Sequence, residues 1–121
     1  METTYSAKVS IEINAAPEQV WEVLINPDLV RQYLHGATMN ADWRKGDNIT
    51  WSGEWNGQSY VDKGTVLIYE PYSVIKTTHW SPMSGKDDKP ENYHHVTYEL
   101  KEENNKTTFT LTQENSPKFF I

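Results

Sequence analysis

An α+β fold, with two short helices after the first of about seven antiparallel strands, is predicted by three observations. Apolar and polar residues alternate from Lys8 to Ile13, and two proline-led helix starts follow at Pro17 and Pro27. From Gly36 onward the signals change to strands and tight turns. The resulting order is strand, helix, helix and then a meander, not the alternating pattern of a parallel sheet.

The first strand is read from Val9, Ile11 and Ile13, with Lys8, Ser10 and Glu12 between them, as half-buried and antiparallel. Pro17 suits the first helical position, where its missing N–H would be unpaired anyway, and Glu18 places a negative charge on the positive end of the helix dipole. That helix should bury Val20, Trp21 and Leu24, with Trp21 wedged into the core. Asn26-Pro27-Asp28 repeats the entry chemistry and leads into Leu29, Val30, Tyr33 and Leu34 at helical spacing. Asn56-Gly57, flanked by Trp51, Gly53, Trp55 and Tyr60, is a strong hairpin signal, and Asn104-Asn105 between Leu100 and Phe109 is a second. Arg44 to Asp47 and Glu70 to Ser73 supply further reversals. The segment from Ser81 to Glu91, with two prolines, a glycine and a run of charges, is expected as an exposed loop.

These turns fix pairings, and paired residues share a face. A two-residue loop at Asn56-Gly57 sets Trp55 opposite Gln58, Gly53 opposite Tyr60, Trp51 opposite Asp62 and Ile49 opposite Gly64. A four-residue turn at Glu70 to Ser73 sets Ile68 beside Ile75, Val66 beside Thr77 and Gly64 beside His79, unless a bulge intervenes. The Asn104-Asn105 turn pairs Leu100 with Phe109, Tyr98 with Leu111 and Val96 with Gln113.

Composition excludes several classes. At 121 residues the chain is expected to form one domain over 1–121. No apolar run approaches the length of a membrane span and the start resembles no signal peptide, so a cytoplasmic location without membrane association is expected. The absence of cysteine removes disulfides, thiolate metal sites and cysteine nucleophiles. Seventeen acidic against eleven basic residues give a net charge of −6, and no basic stripe offers itself to phosphates, which argues against nucleic acid as a partner. Five Trp, seven Tyr and three Phe either build a core or line a ligand cavity.

Ordered blocks along nearly the whole chain carry a specific likeness. They are Ala16-Pro17-Glu18-Gln19-Val20-Trp21, Asp42-Trp43 with Gly46, Gly53-Glu54-Trp55, Asp62-Lys63-Gly64, His79-Trp80-Ser81-Pro82 with Ser84-Gly85, and Pro90-Glu91-Asn92-Tyr93-His94. Through them the chain resembles the family named for the activator of the 90-kDa heat-shock-protein ATPase, within the START-type helix-grip superfamily that includes the birch-pollen allergen. The resemblance implies a curved antiparallel sheet gripping a long C-terminal helix, with a hydrophobic cavity between them. It implies no shared catalytic motif and no cofactor. Ser116-Pro117 is a helix start, but the sequence ends at Ile121, so the long helix is expected to be missing. Its loss would forfeit on the order of 10 kcal/mol of apolar burial, so either a second copy covers the open sheet as a homodimer, which is the favoured expectation, or a ligand does, or the sequence is part of a longer protein.

The inferred inner face carries the candidate ligand-binding residues Trp51, Tyr60, Asp62, Val66, Ile75, His79, His94, Tyr98, Phe109 and Leu111. Polar groups converging inside an apolar concavity are the usual make-up of a small-molecule site. A carboxylate and two imidazoles there could hydrogen-bond a ligand, exchange protons, or satisfy one another. Adjacent His94 and His95 point to opposite strand faces and cannot chelate one ion, so no metal is expected. His35 and His95 are read as solvent-side. The favoured function is non-catalytic binding of a small hydrophobic or aromatic molecule. The alternatives are a domain that stimulates a heat-shock chaperone's ATPase, and a polyketide cyclase or hydratase using His79 or Asp62 as base.

Overall fold

Turn chemistry sets the sheet. In the computed structural model, which describes residues 5–33 and 36–115, Asn56 and Gly57 have φ of 50° and 77°, and Asn104 and Asn105 have φ of 52° and 64°. These paired positive angles are those of the hairpin turn whose twist matches its flanking strands. They join β3 (Asn48–Trp55) to β4 (Gln58–Glu70) and β6 (His94–Glu103) to β7 (Lys106–Asn115) in the registers that the turns predict. With β1 (Tyr5–Ile13), β2 (Thr38–Ala41) and β5 (Val74–His79), the strands form one seven-stranded antiparallel sheet. Its order is β1-β7-β6-β5-β4-β3-β2, so the meander runs back from β2 until β7 meets the first strand.

Two helices interrupt the chain between β1 and β2: α1 (Pro17–Ile25) and α2 (Pro27–Tyr33). Ala16 has no side chain with which to cap α1, and the Gln19 Oε1 instead accepts from the Ala16 N–H at 3.2 Å. At α2 the Asn26 Oδ1 accepts from the Asp28 N–H at 2.9 Å, as the capping signal predicts. Val20 and Trp21 of α1 pack on Ile75 and Leu100, while Val30 of α2 packs with Met39, Ile49 and Val66. The Thr107 hydroxyl, fully buried, donates to the Ala15 carbonyl at 2.7 Å and ties β7 to the turn that launches α1.

One register departs from expectation. Val66 pairs with Thr77 as predicted, but Ile68 pairs with Lys76 and Tyr69 with Ile75, so Ile68 does not lie beside Ile75. A bulge at Leu67 adds one residue to β4 and exchanges the faces of the strand residues beyond it. Ile68 is thereby 38% exposed, and Tyr69 enters the interior. Two backbone hydrogen bonds steady the strand there: the Gly46 N–H donates to the Val66 carbonyl at 2.7 Å, and the Val66 N–H to the Asp47 carbonyl at 2.8 Å.

The first strand also differs from its reading as half-buried. Val9 and Ile11 are 59% and 52% exposed, because α1 reaches only Ile13, and no other described element lies over the rest of the strand's inner face. The expected helix start at Ser116-Pro117, like Leu34 and His35, lies outside the described residues. Ser81 to Glu91 forms the exposed connection expected, with two 3₁₀ turns at Pro82–Ser84 and Pro90–Asn92.

At Gly64 the neighbouring strand comes so close that a Cβ would collide with the Thr78 carbonyl oxygen and lie 2.6 Å from its carbon. Backbone on both sides cannot give way as a flexible side chain could. Gly64→Ala is therefore expected to destabilise by about 1–3 kcal/mol or more, read as a lower urea midpoint with unchanged slope.

Candidate functional site

Three neighbouring strands deliver the polar end of the inner face. Asp62 on β4 stands opposite Trp51 of β3, and His79 closes β5 opposite His94, which opens β6. Lys63 and Trp80 exchange backbone hydrogen bonds of 2.9 and 2.8 Å, which extends the β4–β5 ladder and brings Asp62 against His79. The His79 Nε2 lies 2.9 Å from the Asp62 Oδ2, and the His79 Nδ1 lies 3.2 Å from the His94 Nε2. Trp51 meets the His79 ring edge-on, with centroids 5.2 Å apart.

His79 thus bridges the Asp62 carboxylate through Nε2 and the second imidazole through Nδ1. Both nitrogens of His79 are therefore engaged. His94 is 2% exposed, and burial, reinforced by its histidine neighbours, pushes its pKa down to about 4. Burial likewise pushes the Tyr98 phenol up. The Asp62 Oδ1 is buried and accepts no hydrogen bond among the described residues.

These groups line one end of a cavity of about 340 Å³ between the helices and the inner face. Of the residues expected at such a site, Trp51, Tyr60, Asp62, Ile75, His79, His94, Tyr98 and Leu111 line it. Val66 does not: it is fully buried beneath α2 with Val30, Met39 and Ile49. Phe109 does not either, and lies tilted against Tyr98, ring centroids 5.6 Å apart, in the cluster under α1. The pairing argument assigns a face correctly in both cases but cannot tell cavity wall from packed core.

Three further wall residues, Ala37, Met39 and Trp43, escape the sequence reading. Met39 follows from the β2–β3 register, which no turn signal specifies. Trp43 has φ of 56°, an unusual angle for a bulky residue, and stacks on Tyr69 at 5.5 Å.

A larger hollow, of about 580 Å³, lies on the outer face among Lys63, Thr78, Asp88, Tyr93 and His95. It is polar where the inner cavity is aromatic. His95 borders it while His94 borders the inner cavity, so the adjacent imidazoles do face opposite ways. Among the described residues no group of three or more His, Asp or Glu side chains is arranged to hold a metal ion. None of their helices is long and apolar enough to cross a membrane.

A seven-stranded antiparallel sheet with helices seated on one face and an aromatic cavity beneath them defines the START-type helix-grip class. Within it, the chain belongs to the family described as Activator of Hsp90 ATPase homolog 1-like protein, whose profile matches residues 14–119. A solution structure from Cytophaga hutchinsonii is 44% identical, with a TM-score of 0.83 over 95% of this chain and 79% of that one. An HSP90 activator from Plasmodium falciparum is 18% identical, with a TM-score of 0.71 over 91% and 72% of the two chains. A Staphylococcus aureus protein of unknown function is 16% identical, with a TM-score of 0.77 over 95% and 71%. These last two similarities concern the fold alone. No curated protein matches the chain.

The buried imidazole of His94 makes stability depend on pH. Its pKa is about 4 in the folded chain against 6.5 for the unperturbed group, so between these values the unfolded chain binds more protons. The contribution of His94 is intact above pH 6.5, declines as pH falls, and levels off near pH 4. Urea unfolding at several pH values is expected to show this decline, and His94→Gln to flatten it.

Proposed function

We propose that the protein binds a small hydrophobic or aromatic molecule in the inner cavity without transforming it. The observation that carries this reading is the cavity of about 340 Å³, walled by Leu24, Ile49, Ile75 and Val96 with the rings of Trp51 and Tyr98, with Asp62, His79 and His94 grouped at one end. That volume suits a compact molecule of one or two rings.

The state of His79 supports binding over catalysis. A general base must reach the proton that it abstracts, and both nitrogens of this imidazole already have protein partners. A cyclase or hydratase using His79 as base would have to break one of these contacts at every turnover.

Native mass spectrometry of the purified protein is expected to reveal a co-purified small molecule, and a lipid and aromatic screen by NMR to move the Trp51 indole resonance. The same spectra report whether two copies associate over the exposed Val9 and Ile11. Val96→Trp, which fills the cavity from a partly exposed position, is expected to abolish those shifts while keeping the folded spectrum. Binding unchanged in that variant would sink the proposal.

Family membership supports a second reading, in which the chain contacts a heat-shock chaperone and stimulates its ATPase. Titrating the chaperone of the same organism with this protein should then raise its ATPase rate. An unchanged rate across the titration would remove the idea.

A further inference from the structure

The inner cavity has an electrostatic asymmetry that narrows what it can hold. Its walls include one carboxylate and two imidazoles, and no Lys or Arg is among them. The buried His94 is held neutral by its surroundings, so it supplies no cation at neutral pH. An anionic ligand head entering this end would meet the Asp62 carboxylate with no Lys or Arg in the wall to offset it.

The hydrogen-bond accounting points the same way. A carboxylate brings two oxygens, and a buried acceptor left unpaired is costly. Asp62 Oδ2 faces the His79 Nε2, whereas Oδ1 is enclosed and accepts nothing among the described residues. The nearest histidine cannot serve it, because its remaining nitrogen is directed to His94. What would satisfy Oδ1 is a donor brought into the cavity that Asp62 lines.

We infer that Asp62 determines the specificity of the cavity, selecting apolar molecules that carry one hydroxyl or N–H donor and rejecting carboxylates and other anions. The ligand's ring or chain occupies the apolar end, and its donor reaches Asp62 after a small turn of the carboxylate. Free fatty acids are excluded on this basis, whereas the corresponding alcohols are admitted. The inference rests on the binding function proposed above and adds to it the chemical class of the ligand.

Three probes of one shape separate the two claims: naphthalene, 2-naphthalenemethanol and 2-naphthoate, each titrated into labelled protein near neutral pH and followed at the Trp51 indole. The expected result is measurable binding of naphthalene, roughly tenfold tighter binding of the alcohol, and no saturable binding of the carboxylate. In Asp62→Asn, which removes the charge and offers an amide donor, the alcohol's advantage is expected to disappear and the carboxylate to begin to bind. If naphthalene and the alcohol bind equally well, water alone satisfies the acceptor and this inference fails while the binding function stands. It fails equally if the carboxylate binds as tightly as the alcohol. If none of the three moves the indole, both claims fall. The wild-type affinity ratio carries the test even if Asp62→Asn folds poorly.

Discussion

The structure depends on one extra residue in β4. The bulge at Leu67 turns the strand over, so that Tyr69 points inward where an unbroken alternation would have placed Ile68. Tyr69 and Trp43 are then the members shared by the two cores. The Tyr69 ring lies 5.5 Å from Trp21 of α1 and stacks at the same distance on Trp43, which packs with the residues beneath α2. The Trp21 indole N–H donates to its hydroxyl at 3.4 Å, a long bond that still gives the polar tip of a largely buried aromatic a partner. An isoleucine there would fill volume but could neither accept that bond nor span from one helix to the other. The reversal at Arg44 to Asp47 supports the arrangement by pairing its backbone with Val66, next to the bulge.

A hollow remains between the helices and the sheet beside this aromatic bridge. Val20, Trp21, Val30 and Val66 fill the space directly under each helix, and what is left over is the cavity. Its polar end lies where three strands bring Asp62, His79 and His94 side by side, one residue from each. Such a row forms only if the β4–β5 and β5–β6 registers both hold. Gly64 permits the first of these by letting β5 approach more closely than any side chain would allow.

Much of this was legible in the sequence because it is local. Asn56-Gly57 and Asn104-Asn105 carry their own geometry, and every pairing inferred from them holds. The proline-led helices follow from capping chemistry in the same way. The bulge was not legible, since nothing in Val66-Leu67-Ile68-Tyr69 distinguishes an alternating strand from one that gains a residue. Nor could the pattern reveal that Val66 and Phe109 face packed side chains while Ile75 and Leu111 face a cavity. That distinction depends on where the helices sit above the sheet, which is decided by contacts far apart in sequence. Trp43 illustrates the same limit: its positive φ directs the indole inward, and an aspartate–tryptophan pair in a loop does not announce that angle.

An aspartate, a histidine and a second histidine in contact invite a catalytic interpretation, and their arrangement argues against it in physical terms. Catalytic dyads leave one nitrogen of the imidazole free for the reacting atom, with the carboxylate orienting the ring from the other side. Here the second nitrogen meets another imidazole, and burial keeps that imidazole neutral. Moving a proton along this row would place charge on His94 at the point where burial penalises charge most. The row pairs Oδ2 of Asp62 and leaves Oδ1 for a donor, in keeping with the recognition role proposed for this carboxylate.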